Sequence, residues 1–159
     1  MFNFRRLLAL FSAPRTPLDA ALRELAHGKP QEALAALDEL LAREQTAEGR
    51  AELTNKRGVA LVAMDRREEA RAAFESALKI SPRFAQAFVN LGNLELESNC
   101  VEDAISYYRR AIDADSQNAS AYRHLALAYR RAGRSTEALQ AFSRARRLEG
   151  RANAKQRKR

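Results

Sequence analysis

Few side chains in this 159-residue chain could act as nucleophiles, proton carriers or soft metal ligands: His27, His124 and Cys100. The histidines lie 97 residues apart, and neither has a second ligand at i+4, the spacing by which one helix offers two donors to a metal. His27 stands beside Gly28, a pair that reads as a helix end where an imidazole meets the terminal carbonyls. Cys100 follows the turn residue Asn99 with nothing to stabilise a thiolate, and as the one cysteine it has no disulfide partner. There is no glycine-rich phosphate loop and no catalytic constellation. The expectation is a protein that is not an enzyme, with no catalytic, cofactor-binding or metal-binding residue.

Recognition of charge is the other chemistry within reach. The chain carries +8 overall, but residues 1–115 hold 16 Lys/Arg against 18 Asp/Glu, while residues 116–159 hold 12 against 2. Such asymmetry predicts either an anionic partner met by one end or a solubilising end without a partner. The residues that would meet that partner are Arg131, Arg134, Arg144, Arg146, Arg147, Arg151, Lys155, Arg157, Lys158 and Arg159. An acidic protein, nucleic acid or acidic lipid fits the charge. No aromatic residues interleave with 143–159, which disfavours stacking on single-stranded bases.

The elements that must position these groups repeat along the chain. Ala70, Ala104 and Ala138 are 34 residues apart, as are Phe74, Tyr108 and Phe142, and Ala77, Ala111 and Ala145. Gly58, Gly92 and Ala126 keep the same step, and so do Asp65, Asn99 and Gly133. Five columns in register define a repeat, and repeats are read before local structure. Each unit reads as two helices: Phe88, Val89, Leu91 and Leu94 form one stripe, and Ile105, Tyr108, Ala111 and Ile112 the next. Asp65, Asn99 or Gly133 closes the first helix in a left-handed conformation. The Gly/Ala columns remove bulk where the two helices approach, and the aromatic column fills the gap left.

These columns, with an aromatic four places after the Ala, another Ala three later and Pro82 five beyond, resemble the tetratricopeptide repeat. Ser116 and Gly150 replace the inter-repeat Pro, and Phe88 and Tyr122 stand where the family often has Trp. The resemblance implies an all-α solenoid of helical hairpins, a right-handed superhelix with repeats at 51–84, 85–118 and 119–152. Helices are expected at 51–64/68–81, 86–98/102–114 and 120–132/136–149. A divergent unit at 14–47 precedes them, because Gly28, Ala33 and Leu37 stand 37 residues before Asp65, Ala70 and Phe74. Its three extra residues suggest a lengthened helix end around Arg43–Arg50. Thr16, Pro17 and Asp19 make a good helix start. Arg57 and Glu95 occupy positions where the family has apolar residues; they are expected to tilt toward solvent, the alternative being charges near the core with partners.

The resemblance also implies function. Its members bind, with the first helices lining a concave groove for an extended or helical peptide. Groove-facing candidates are Asn55 and Val59 in one unit, Val89, Asn90, Asn93 and Glu97 in the next, and Ser120, Arg123, Leu127 and Arg130 in the last. Asn amides could hydrogen-bond a peptide backbone, and Arg123 and Arg130 a carboxylate. Asn90 matches one position of the carboxylate clamp of some relatives. Asn55, Val59, Ser120 and His124 stand at the other positions, so that clamp is not expected. Small bacterial secretion chaperones, with three such repeats and an N-terminal helical stretch, are an alternative from which the basic end departs.

The chain divides as 1–13, 14–150 and 151–159. Residues 1–13 carry Phe2, Phe4, Leu7, Leu8, Leu10 and Phe11 with Arg5 and Arg6 and no acid before Asp19. They read as a short start capping the first repeat, as a segment lying through residues 2–11 on a membrane surface or in a groove, or as a targeting sequence. Leu7–Phe11 is too short for a secretory core. Residues 151–159, five of them basic, are expected to be disordered. With no apolar run near the ~20 residues of a membrane span, a cytoplasmic protein is expected, with membrane association or organelle targeting through the N-terminal segment as alternatives.

Overall fold

The computed structural model describes residues 16–156, with side chains through 154. The 2–11 segment and residues 157–159 lie outside the described residues. Among those described the chain is helical hairpin after helical hairpin, without strands. The helices are α1 (Pro17–Ala26), α2 (Pro30–Arg43), α3 (Ala47–Ala63), α4 (Arg67–Ile80), α5 (Ala85–Glu97), α6 (Val101–Ala114), α7 (Ala119–Arg131) and α8 (Ser135–Gln156). The expected boundaries hold to within a residue or two, except at the start of α3 and the end of α8.

Local chemistry explains the breaks. Thr16 and Asp19 form a reciprocal capping box on α1: the Asp19 amide donates to Thr16 Oγ1 and the Thr16 amide to Asp19 Oδ2, both at 3.0 Å. Gly28, Asp65, Asn99 and Gly133 all have positive φ between the two helices of a unit, the left-handed closure expected of them. The three additional residues of the first unit lengthen α3 at its N-terminus. Glu44 accepts from the Thr46 amide and hydroxyl, both at 2.8 Å, and from the Gln45 amide at 3.0 Å. The Thr46 bonds hold its carboxyl below the usual carboxylate range. Thr46 in turn caps α3 by accepting from Gly49.

The small and aromatic columns meet as their spacing predicts. A methyl group on Gly58 would lie 2.4 Å from the Phe74 ring, and one on Gly92 2.5 Å from the Tyr108 ring. Ala70 and Ala104 are buried beside them. One apolar cluster joins α1, α2 and α3, a second α3, α4 and α5, and a third α5 to α8. Each helix packs on its sequence neighbours, and first helices also touch one another, α3 with α5 and α5 with α7. That is the nearest-neighbour arrangement of a solenoid.

The expectation of disorder from Arg151 is corrected through Gln156, because α8 runs on to that residue. Extending a formed helix requires no new nucleus, and Arg, Ala, Lys and Gln are favourable helix residues. Glu95 corrects another expectation. Its side chain is only 12% exposed and lies 2.6 Å from Arg71, an inward charge with its partner. Arg57, about one-third exposed, pairs with Asp38 at 2.8 Å.

Candidate functional site

The first helices α3, α5 and α7 present a row of side chains on their shared face, and the structure sorts the expected members. Asn55 is 1% exposed, and its Oδ1 accepts from Asn90 Nδ2 at 2.8 Å. Val89 is 2% exposed. Both are corrected from ligand-facing to interhelical: one zips α3 to α5, the other packs in the core beneath α7. Asn90 and Asn93 stay part-exposed. Asn93 Oδ1 accepts from the fully buried Tyr108 hydroxyl at 2.8 Å, and burial pushes that phenol well above its ordinary range. The Asn93 amide protons and part of the Asn90 amide are what this pair can still offer. Val59, Val62, Phe74, Asn90, Asn93, Leu94 and Glu97 line a small cavity of ≈ 160 Å³ between α3, α4 and α5. Glu97 is exposed and ion-paired to Arg67 at 2.8 Å.

In the last unit Ser120 and Leu127 are part-exposed and Arg123 and Arg130 exposed. Arg123 reaches Glu149 at 3.2 Å. His124 stacks on Tyr108 with ring centroids 5.6 Å apart. Burial, reinforced by the Arg123 charge, lowers its pKa from 6.5.

Several basic residues of the C-terminal part are engaged within the fold. Arg131 donates to the Leu96 carbonyl at 2.8 Å. Arg134 is bound to Glu137, which holds that carboxyl below its usual range, and reaches Glu102 at 3.5 Å. Arg144 lies over the Tyr122 ring at 5.9 Å. Arg146, Arg147 and Arg151 are exposed along α8. Lys155 lies on the last turn of α8, and Arg157, Lys158 and Arg159 are outside the described residues.

His27 is the C-cap of α1. Cys100 is exposed, its Sγ 3.8 Å from the Ser98 carbonyl. Cys100, Glu95 and Asp103 offer donor atoms within 4.8 Å of one another, but Glu95 is already held by Arg71. Among the described residues no helix is long and apolar enough to cross a membrane.

One feature escaped the sequence reading. Leu139 and Phe142 on α8 are 67% and 48% exposed. With Arg123, Ala126, Leu127, Arg130, Ser135 and Ala138 they line an open cavity of ≈ 480 Å³ between α7 and α8. Part of the signal was in the sequence: Phe142 belongs to the aromatic column of the 34-residue repeat, whereas its exposure is a fact of the tertiary structure.

Comparison with known proteins agrees with this architecture. The family model described as Tetratricopeptide repeat matches residues 18–83, 55–119 and 89–155. Among solved structures, one titled "Crystal structure of MamA" is similar with a TM-score of 0.69 at 24% identity, covering 94% of this chain and 86% of that one. A MamA RS-1 double mutant is similar with a TM-score of 0.62 at 25% identity, over 87% and 78%. BtubC from P. vanneervenii is similar with a TM-score of 0.69 at 19% identity, over 86% and 63%. No curated protein matches the sequence.

Proposed function

The chain belongs to the tetratricopeptide repeat family, and from that premise we propose that it is a non-enzymatic adaptor holding a peptide or protein segment on the face of its first helices. A protein-interaction scaffold is the role this family and fold support in general. The specific reading is carried by one observation. Val59, Asn90, Asn93, Ser120, Arg123, Leu127 and Arg130 run along α3, α5 and α7 with exposed or half-exposed side chains. Asn93 keeps amide donors for a ligand backbone, and Arg130 has no side-chain partner among the described residues. A segment with carboxylates would meet them in charge-assisted bonds.

The test is affinity capture of the full chain from cells, with and without nuclease, followed by binding measurements on the partner recovered. Asn93→Asp keeps the acceptor for Tyr108 while removing the amide donors, so it separates ligand binding from packing. Each lost hydrogen bond is worth about 1 kcal/mol, roughly a fivefold weakening. Arg123→Glu should weaken an acidic segment further. A partner that binds both variants as tightly as the parent removes this face from the reading. Loss of the partner on nuclease treatment transfers the function to nucleic acid.

A further inference from the structure

The unit of α7 and α8 leaves exposed an apolar face that each preceding unit covers with the first helix of the next. Phe74 and Tyr108 are 1% and 0% exposed, whereas Phe142 at the same repeat position is 48% exposed. Leu139 is 67% exposed, while its counterpart Ile105 is 3% exposed. Between these two and Leu127 opens the cavity of ≈ 480 Å³, with Arg123 and Arg130 on its rim.

The chain itself shows how such a seat is filled. Over α3 and α4, helix α5 inserts Ala87, Leu91 and Leu94, at i, i+4 and i+7. Its Asn90, at i+3, meets Asn55. Its Glu97, at i+10, borders the same small cavity as Val62. Asn55 and Val62 are the counterparts, two repeats earlier, of Arg123 and Arg130. A helix in the same seat on the last unit therefore brings its i+3 residue to Arg123 and its i+10 residue to Arg130.

We propose that the exposed apolar face of α7 and α8 is a docking seat for one amphipathic helix of a partner protein, apolar or small at i, i+4 and i+7 and acidic at i+3 and i+10. Charge selects this occupant. Two copies meeting end to end would oppose their Arg123 and Arg130 side chains, a like-charge contact that disfavours association. Residues 2–11 carry Arg5 and Arg6 with no acid, so they bring the wrong sign. Among the described residues Arg130 has no side-chain partner, and Arg123 has only the half-buried Glu149. Leu139 and Phe142 belong to this face alone, so variants there leave the row on α3 and α5 intact.

The experiment uses the full chain and a labelled synthetic peptide with the sequence of Ala85–Glu97 bearing Asn90→Glu, followed by fluorescence anisotropy at low and physiological salt. Saturable binding is expected, weakening with salt. Leu139→Glu and Phe142→Glu should each weaken it about tenfold or more, and Arg130→Glu several-fold. Both apolar sites are exposed, so the variants should fold, as circular dichroism will report. A peptide with Asn90→Lys and Glu97→Lys should not bind. Absence of binding to the parent chain overturns the proposal, as does equal binding by Leu139→Glu or equal binding of the lysine peptide. A dimer by sedimentation that Leu139→Glu dissociates would make a second copy the occupant and overturn it. A tenfold affinity gain on deleting residues 1–15 would do the same in favour of that segment.

Discussion

Gly92 and His124 both answer to Tyr108, and each makes a prediction of definite sign. An exposed helical Gly→Ala change ordinarily stabilises by up to about 1 kcal/mol. At Gly92 the new methyl would lie 2.5 Å from the Tyr108 ring, which is fully buried and cannot withdraw. Gly92→Ala should therefore destabilise by roughly 1–3 kcal/mol. Gly150→Ala, with nothing within 4 Å, should be neutral or stabilising. Thermal melts of the pair decide it, and equal shifts would refute the packing account. His124 has a pKa lowered by burial and then by Arg123, so the unfolded chain takes up its proton at higher pH than the folded one. Its contribution to stability is complete above about pH 6.5 and declines as pH falls below that toward the lowered folded value. Between about pH 7.5 and 5.5 the parent should lose melting temperature faster than His124→Gln; parallel curves would exclude the imidazole as the cause. Arg123 is its neighbour in sequence, but the stacked partner Tyr108 was not legible there, where His124 was a histidine without a second metal ligand at one position of the carboxylate clamp.

Between elements, the Arg71–Glu95 pair couples α4 to α5. Glu95 replaces an apolar family residue, and sequence alone left open whether it faced water or the core. Tertiary contact decided it, since Arg71 approaches from 24 residues away. Arg71→Leu should leave a nearly buried carboxylate unpaired and cost about 2–3 kcal/mol. The double change Arg71→Leu with Glu95→Leu should recover most of that loss, because an apolar pair can replace a buried ion pair at little cost. A double variant no more stable than the single one would contradict this. The turns were more legible, for Asp65 and Asn99 adopt the positive φ their column predicted. Asp65→Gly should stabilise by about 1 kcal/mol, because glycine carries no Cβ penalty there. Chemical denaturation of that variant provides the check.

At the scale of the whole molecule, stability should be a chain of neighbouring terms rather than one indivisible core. Among the described residues helices pack mainly on close neighbours in sequence, and three apolar clusters follow one another along the solenoid. Ala21 is fully buried at the amino-terminal end. Ala21→Asp should open α1 and α2 while amides of α5–α8 keep most of their protection in hydrogen exchange. Uniform loss of protection along the chain would show a single cooperative unit instead. Leu139 on α8 is 67% exposed, so Leu139→Glu should cost little stability while altering association.

Periodicity alone determined the hairpin order, the turn residues and the contact of Gly58 and Gly92 with a ring, because those follow from spacing along one helix pair and recur from unit to unit. It did not determine which polar members of a first helix face a ligand and which face the next helix. Asn55 and Asn90 have the same chemistry, and only the stacking of α5 on α3 joins them. The C-terminal boundary was misjudged for a related reason. Residues 151–156 bury nothing of their own among those described, yet they continue a helix whose earlier turns are anchored by Ala141, Ala145 and Leu148. Local composition describes what a segment can bury, whereas the tertiary structure decides whether it inherits order from a neighbour that is already folded.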